Sequence, residues 1–131
     1  MKTLPFVLLS AVAAVSLLAH EGHPHAPAAA MKLVSPIPNS PENLANGKKL
    51  YGEKCAACHG ADGRSATTTA AAAKVKPADL TSHHVTMLTP GEIYWVTTHG
   101  IPMSGMPANL NLNVRERWQL VEYTRELGKL K

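Results

Sequence analysis

Both cysteines of this chain fall in one five-residue run, Cys55-Ala56-Ala57-Cys58-His59, and few folds can make use of such a run. In a helix, residues three and four apart share a face, so this spacing sets two thiols and an imidazole side by side. C-x-x-C-H is the pattern of c-type haem attachment, in which two thiols meet the vinyl groups of the porphyrin and the imidazole reaches the iron. A disulfide or a thioredoxin-like redox pair is the competing reading. It calls for strands alternating with helices around the motif, and no run in the sequence alternates with strand period. A structural zinc site would require a second spaced pair of Cys or His ligands, which is also missing.

The rest of the chain is consistent with a small domain built around a prosthetic group. One Phe, two Trp and three Tyr are few for a domain, and so small a fold gains from burying a large apolar cofactor against them. The formal charge of +4 is spread thinly, with Lys48-Lys49 the only adjacent basic pair. A nucleic-acid surface would instead concentrate its cations in a stripe interleaved with aromatics, so nucleic acid is excluded as a partner.

Residues 1–19 read as a secretory signal: Met1-Lys2, then an apolar run from Leu4 to Ala19 broken only by Ser10 and Ser16. The run falls short of the roughly 20 residues a membrane-spanning helix needs. Cleavage is expected after Ala19 or in the small-residue stretch Ala28–Ala30; left uncleaved, the run would be a membrane anchor. Residues 20–41 form a Pro-, Ala- and His-rich stretch in which Pro24, Pro27, Pro36, Pro38 and Pro41 forbid a long helix, and a flexible arm is expected there. Its His20, His23 and His25 are close enough to capture a metal ion, but short clusters of this kind are commonly just solvated.

Residues 42–131 make up the domain proper, and its signals are helical. Ser40 can cap a first helix with Pro41 at its first position and Glu42 beside it, running to about Lys54. Leu44, Gly47, Leu50, Tyr51 and Lys54 mark one face of it. Ala66–Ala73 allows a short helix or a loop. Thr89 and Glu92 form a capping box for a middle helix that Gly100 stops, and Asn113 and Glu116 do the same for a last helix ended by Gly128. On that helix Val114, Trp118, Leu120, Val121, Tyr123 and Leu127 form the apolar side, with Arg115, Glu116, Glu122, Arg125 and Glu126 in water. The expected fold class is all-α.

Gly47-Lys48-Lys49-Leu50-Tyr51, Cys55 to Gly60, and Gly100-Ile101-Pro102-Met103-Ser104-Gly105-Met106-Pro107 occur in that order, and together they resemble the class I, monohaem c-type cytochromes over about residues 42–128. The resemblance implies a small fold of helices wrapped around one covalent haem c, with the N- and C-terminal helices crossing near Gly47, Tyr51, Leu120 and Tyr123. It implies covalent attachment at Cys55 and Cys58, His59 as the proximal iron ligand, and Met106, followed by Pro107, as the distal one. Met103 is the alternative sixth ligand, and Met87 lies further from the pattern. It also implies that the carbonyl of Pro77 accepts a hydrogen bond from the His59 ring. The long arm and the Ala/Thr stretch depart from the family.

A His/Met pair leaves the iron no open position, so the expectation is an exported, periplasmic one-electron carrier with no catalytic residues, exchanging electrons with a redox protein donor and acceptor. Two alternatives remain. A haem-based ligand binder or peroxidase-like protein would need Met106 off the iron, and His83, His84 and His99 are the other candidate ligands. A fixed cytochrome subunit of a larger dehydrogenase or oxidase complex would share the chemistry and differ in its partner.

Overall fold

A computed structural model describes residues 26–130. The expected signal segment and His20, His23 and His25 lie outside these residues. Seven helices follow in order: α1 (Ala28–Met31), α2 (Pro41–Lys54), α3 (Ala56–His59), α4 (Thr68–Ala72), α5 (His83–Thr86), α6 (Pro90–His99) and α7 (Val114–Leu127), with a 3₁₀ turn at Pro102–Ser104. The one β feature among the described residues is an isolated bridge between Ile101 and Met106. The fold is all-α. No helix among the described residues is long and apolar enough to cross a membrane.

The long helices begin where their caps dictate. The Ser40 side chain accepts from the Asn43 backbone with Pro41 at the first position, and reciprocal capping boxes open α6 at Thr89/Glu92 and α7 at Asn113/Glu116. Each box satisfies two backbone donors that a helix start would otherwise leave without partners.

α7 is packed between α2 and α6. On one side it crosses α2 where Gly47 has no Cβ. A Cβ there would lie 2.8 Å from the carbonyl carbon of Gln119, nearer still to its oxygen, and 3.0 Å from Tyr123 Cβ. Along this seam Tyr51, Leu112, Leu120 and Leu127 form one core cluster, with Leu50, Cys55, Ala56, Leu80 and Tyr123 against it. On the other side Ile93, Trp118 and Val121 form a second cluster with Ile37, Leu88 and Tyr94. Tyr94 stacks on Trp118 at 4.4 Å between ring centroids. Burying side chains such as Tyr51, Leu120 and Val121, each at 2% exposure or less, contributes on the order of 2 kcal/mol apiece.

Being covered on two sides widens the buried arc of α7 beyond the apolar stripe. Glu122, expected in water, is buried, as is Gln119, whereas Val114, assigned to the apolar side, is 54% exposed. On α2 the buried line is Asn43, Gly47 and Tyr51. Asn43 is a polar residue at 1% exposure, and it is fully engaged. Its Nδ2 donates to the Pro38 carbonyl at 2.9 Å, while its Oδ1 accepts from Arg115 Nη2 and Gln119 Nε2, each at 3.0 Å.

The proline-rich arm differs from expectation. The prolines do keep α1 to four residues, but from Ala26 onward the segment is docked, with Ala26 and Ala30 buried. The reason lies in Gly91 of α6, where the Ala30 carbonyl occupies the space a side chain would fill and Leu33 Cβ would stand 3.1 Å away. Ile37 then adds to the second core cluster.

Three outcomes follow for stability. Gly47→Ala should lower the denaturant midpoint of the holoprotein by an amount worth about 2 kcal/mol, because its methyl group meets backbone. Gly52→Ala, where a Cβ has nothing within 4 Å, should leave stability unchanged or raise it by up to about 1 kcal/mol. The Tyr51 hydroxyl donates to the Gly60 carbonyl at 2.7 Å, and burial, with Cys55 next in effect, raises its pKa far above the usual phenol range. The folded chain therefore keeps a proton that the unfolded chain loses near pH 10, so this contribution is present below that pH and lost as pH rises past it. Thermal melting against pH should show a shallower alkaline decline in Tyr51→Phe.

Candidate haem site

The C-x-x-C-H run sits at the break between α2 and α3. Cys55 is both the last cap of α2 and the first of α3, at φ −120°. Its amide donates to the Tyr51 carbonyl at 2.9 Å, and its own carbonyl accepts from the amides of Cys58 at 3.1 Å and His59 at 2.9 Å. The helical turn is thereby kept through the motif, and both cysteines are free and half-buried on it. Burial, with Cys58 as the second cause, pushes the Cys55 thiol up to about 11. A dithiol redox pair depends on a depressed thiol pKa, so this environment speaks against one. Nor does any group of three or more His, Cys, Asp or Glu among the described residues form a cluster able to hold a bare metal ion.

His59 Nδ1 lies 3.0 Å from the carbonyl oxygen of Ala78. A carbonyl can only accept, so Nδ1 carries the proton and Nε2 keeps its lone pair for a metal. Burial lowers the His59 pKa and the Ala78 bond partly offsets this, which favours the neutral ligating form. The acceptor differs from the expected carbonyl of Pro77 by one residue, for an evident reason. The Leu80 amide donates to Gly63 O at 2.8 Å, while the Thr81 amide and hydroxyl both bond Asp79 Oδ1, at 2.8 and 2.7 Å. These bonds, which also hold Asp79 below the usual carboxylate range, fold the chain into a turn that presents Ala78 O. Pro77 instead joins Ser65, Thr67, Ala70 and Val75 along an open groove of about 470 Å³. Thr67 ties the groove to the motif by donating to Cys58 O at 3.2 Å. Two free thiols, a bare Nε2 and an adjoining groove fit a covalently held haem.

Met106 lies in a loop closed twice. Gly100, at φ 68°, ends α6 where any side chain would collide with the backbone of Met106, Pro107 and Ala108. Inside the loop, Ile101 and Met106 exchange backbone bonds of 2.9 and 3.2 Å around the 3₁₀ turn and a left-handed Gly105. Outside it, the Asn109 amide donates to Thr98 O at 3.1 Å and its Nδ2 to Thr97 O at 2.9 Å. Asn109 thus satisfies two of the carbonyls a helix end leaves free. Gly105 packs on Val75, whose Cγ1 would stand 3.0 Å from a Cβ at that glycine, so the loop meets the groove wall.

The two methionines are held differently. Met106 is half-buried, whereas Met103 is fully exposed and Met87 is 70% exposed. His83 and His84 are exposed on α5, and His99 stacks on Trp95 at 3.8 Å with its Nδ1 directed at Trp95 O. Ser65, at φ 65° with its hydroxyl on Ala78 O, and Asn109 are site residues that motif reading does not find. Both act through chain reversals and carry no spacing signature.

Comparison with known proteins points to the same cofactor. Residues 42–123 match the family model described as cytochrome c oxidase, cbb3-type, subunit III. A solved chain of the reducing HAO-like protein complex of Kuenenia stuttgartiensis is 29% identical with a TM-score of 0.60, the likeness covering 70% of this chain and 46% of that one. This chain therefore spans less than half of its structural relative. No curated protein sequence matches it. The match takes in Cys55, Cys58, His59 and Met106 together with the α2–α7 crossing, and the chain belongs to this family of c-type cytochrome domains that bind haem c covalently.

Proposed function

We propose that this chain is an exported, periplasmic one-electron carrier in which Cys55 and Cys58 hold haem c, His59 is the proximal ligand and Met106 the distal one. The observation that carries the proposal is the contrast at the distal loop. Met106 is half-buried beside a bridge that fixes its backbone at both N and O, while Met103 points into water. Haem c, when bound, supplies a metal centre that gains and loses a single electron. His59 presents Nε2 because Ala78 O holds its Nδ1 proton, and the Met106 thioether is a soft donor that favours the less charged, ferrous state. If His59 and Met106 both held the iron, a substrate would have no site on the metal, and the chain would be a carrier rather than a peroxidase-like enzyme. The chain then exchanges electrons with protein donors and acceptors, and its mild positive charge suits acidic docking faces.

A second reading, a fixed subunit of a larger redox complex, is favoured by the settings of the two similar proteins, an oxidase subunit and a multiprotein complex. Stoichiometric co-purification from native membranes or periplasm separates it from a diffusing shuttle, and intact mass of the exported protein reports whether residues 1–19 remain as an anchor.

The oxidised holoprotein should display the weak long-wavelength absorption band of an iron to Met sulfur bond. Met106→Ala should abolish the band, lower the reduction potential and open the haem to added cyanide or imidazole; Met103→Ala should leave all three unchanged. The reverse pattern would assign the distal position to Met103, and a high-spin wild-type spectrum would favour ligand binding or catalysis.

A further inference from the structure

In the loop leaving α3, Gly60 and Gly63 take positive φ, each at 78°, and so does Ser65, at 65°. A side chain is disfavoured in that region and glycine is not. A residue held there against its preference is a pointer to function, and what Ser65 has that a glycine lacks is a hydroxyl. That hydroxyl donates to Ala78 O at 2.5 Å. This is the same oxygen that accepts from His59 Nδ1 at 3.0 Å. The arrangement is pinned from both sides, since the Ser65 amide donates to His59 O at 2.8 Å and its carbonyl accepts from Thr67 N at 3.1 Å.

A carbonyl oxygen has two lone pairs and can serve both donors, but each donor draws electron density away from the other. We infer that Ser65 is a positioning residue that sets the reduction potential, by sharing the Ala78 carbonyl and so limiting the polarisation of the His59 ring. This rests on the reading of His59 as the proximal ligand. With the hydroxyl gone, Ala78 O bonds His59 alone, the Nδ1–H is more strongly polarised, and Nε2 becomes the better donor. A more basic axial imidazole stabilises ferric iron, so the potential falls.

The test is the reduction potential of the holoprotein with Ser65→Ala, Ser65→Gly and Ser65→Thr, measured by equilibrium titration against a mediator, alongside thermal midpoints. Ser65→Ala and Ser65→Gly should shift the potential downward by similar amounts. At fixed poise the ratio of reduced to oxidised protein should fall by up to about tenfold, which is ~59 mV for one electron. Ser65→Thr should restore the wild-type value. Stability should follow a different order, with Ser65→Gly above Ser65→Ala because it relieves the backbone. A potential unchanged in both hydroxyl-free variants would overturn the inference, as would one that tracks stability rather than the hydroxyl. If His59→Gly left the oxidised spectrum as in wild type, the ligand reading would fail and the inference with it, an outcome read independently of position 65.

Discussion

The contact on which the rest depends is the absence of one carbon. Because Gly47 has no Cβ, the backbone of α7 comes against α2 at Gln119. Only with the helices at that separation can Tyr51 and Leu120 be enclosed in one cluster and Asn43 reach Arg115 and Gln119. The haem motif inherits its placement from this seam. Cys55 is the cap residue of α2, its amide bonded to the Tyr51 carbonyl, and Cys55 and Ala56 pack against the seam cluster. The covalent anchor is thus an extension of the most buried helix pair, and the precision of the attachment site is borrowed from it.

From there the site is built by backbone bonds across loops more than by secondary structure. His59 is oriented by a carbonyl 19 positions on, and that carbonyl is presented by a turn which Asp79 and Thr81 close. The Met106 loop is fastened to the end of α6 by Asn109. Each tie is short and directional, and each satisfies a group that would otherwise lose its partner, so the loops are specific without being helical. α6 is steadied from its other end by Ala30 seated at Gly91.

Much of this could be read from the residues, for reasons that differ by feature. The caps at Ser40, Thr89 and Asn113 were legible because N-capping is local chemistry written within four residues. The haem motif was legible because its geometry lies within one helical turn. The Gly47 contact could be anticipated only through family resemblance, since a glycine does not announce its partner. The family resemblance pointed to the carbonyl of Pro77 rather than Ala78, because one peptide's rotation is set by the Leu80 bond to Gly63 and the Asp79–Thr81 turn, which no motif records. Glu122 was assigned to solvent because amphipathicity assumes one covered side, and α7 has two. The arm was read as loose from its prolines, which restrict helix length but say nothing of docking.

The seam also bears on the order in which the molecule can be assembled. Asn43 and Gln119 are 76 positions apart, so the enclosure of α2 waits until almost the whole chain is available, and closing so long a loop is slow. Until then Cys55 is not walled in by Leu120 and Leu127, and its thiol is free of the burial that raises its pKa in the finished fold. Thioether formation is therefore easiest on the open chain. A haem fixed at that stage would give the last helix a ready surface to close upon.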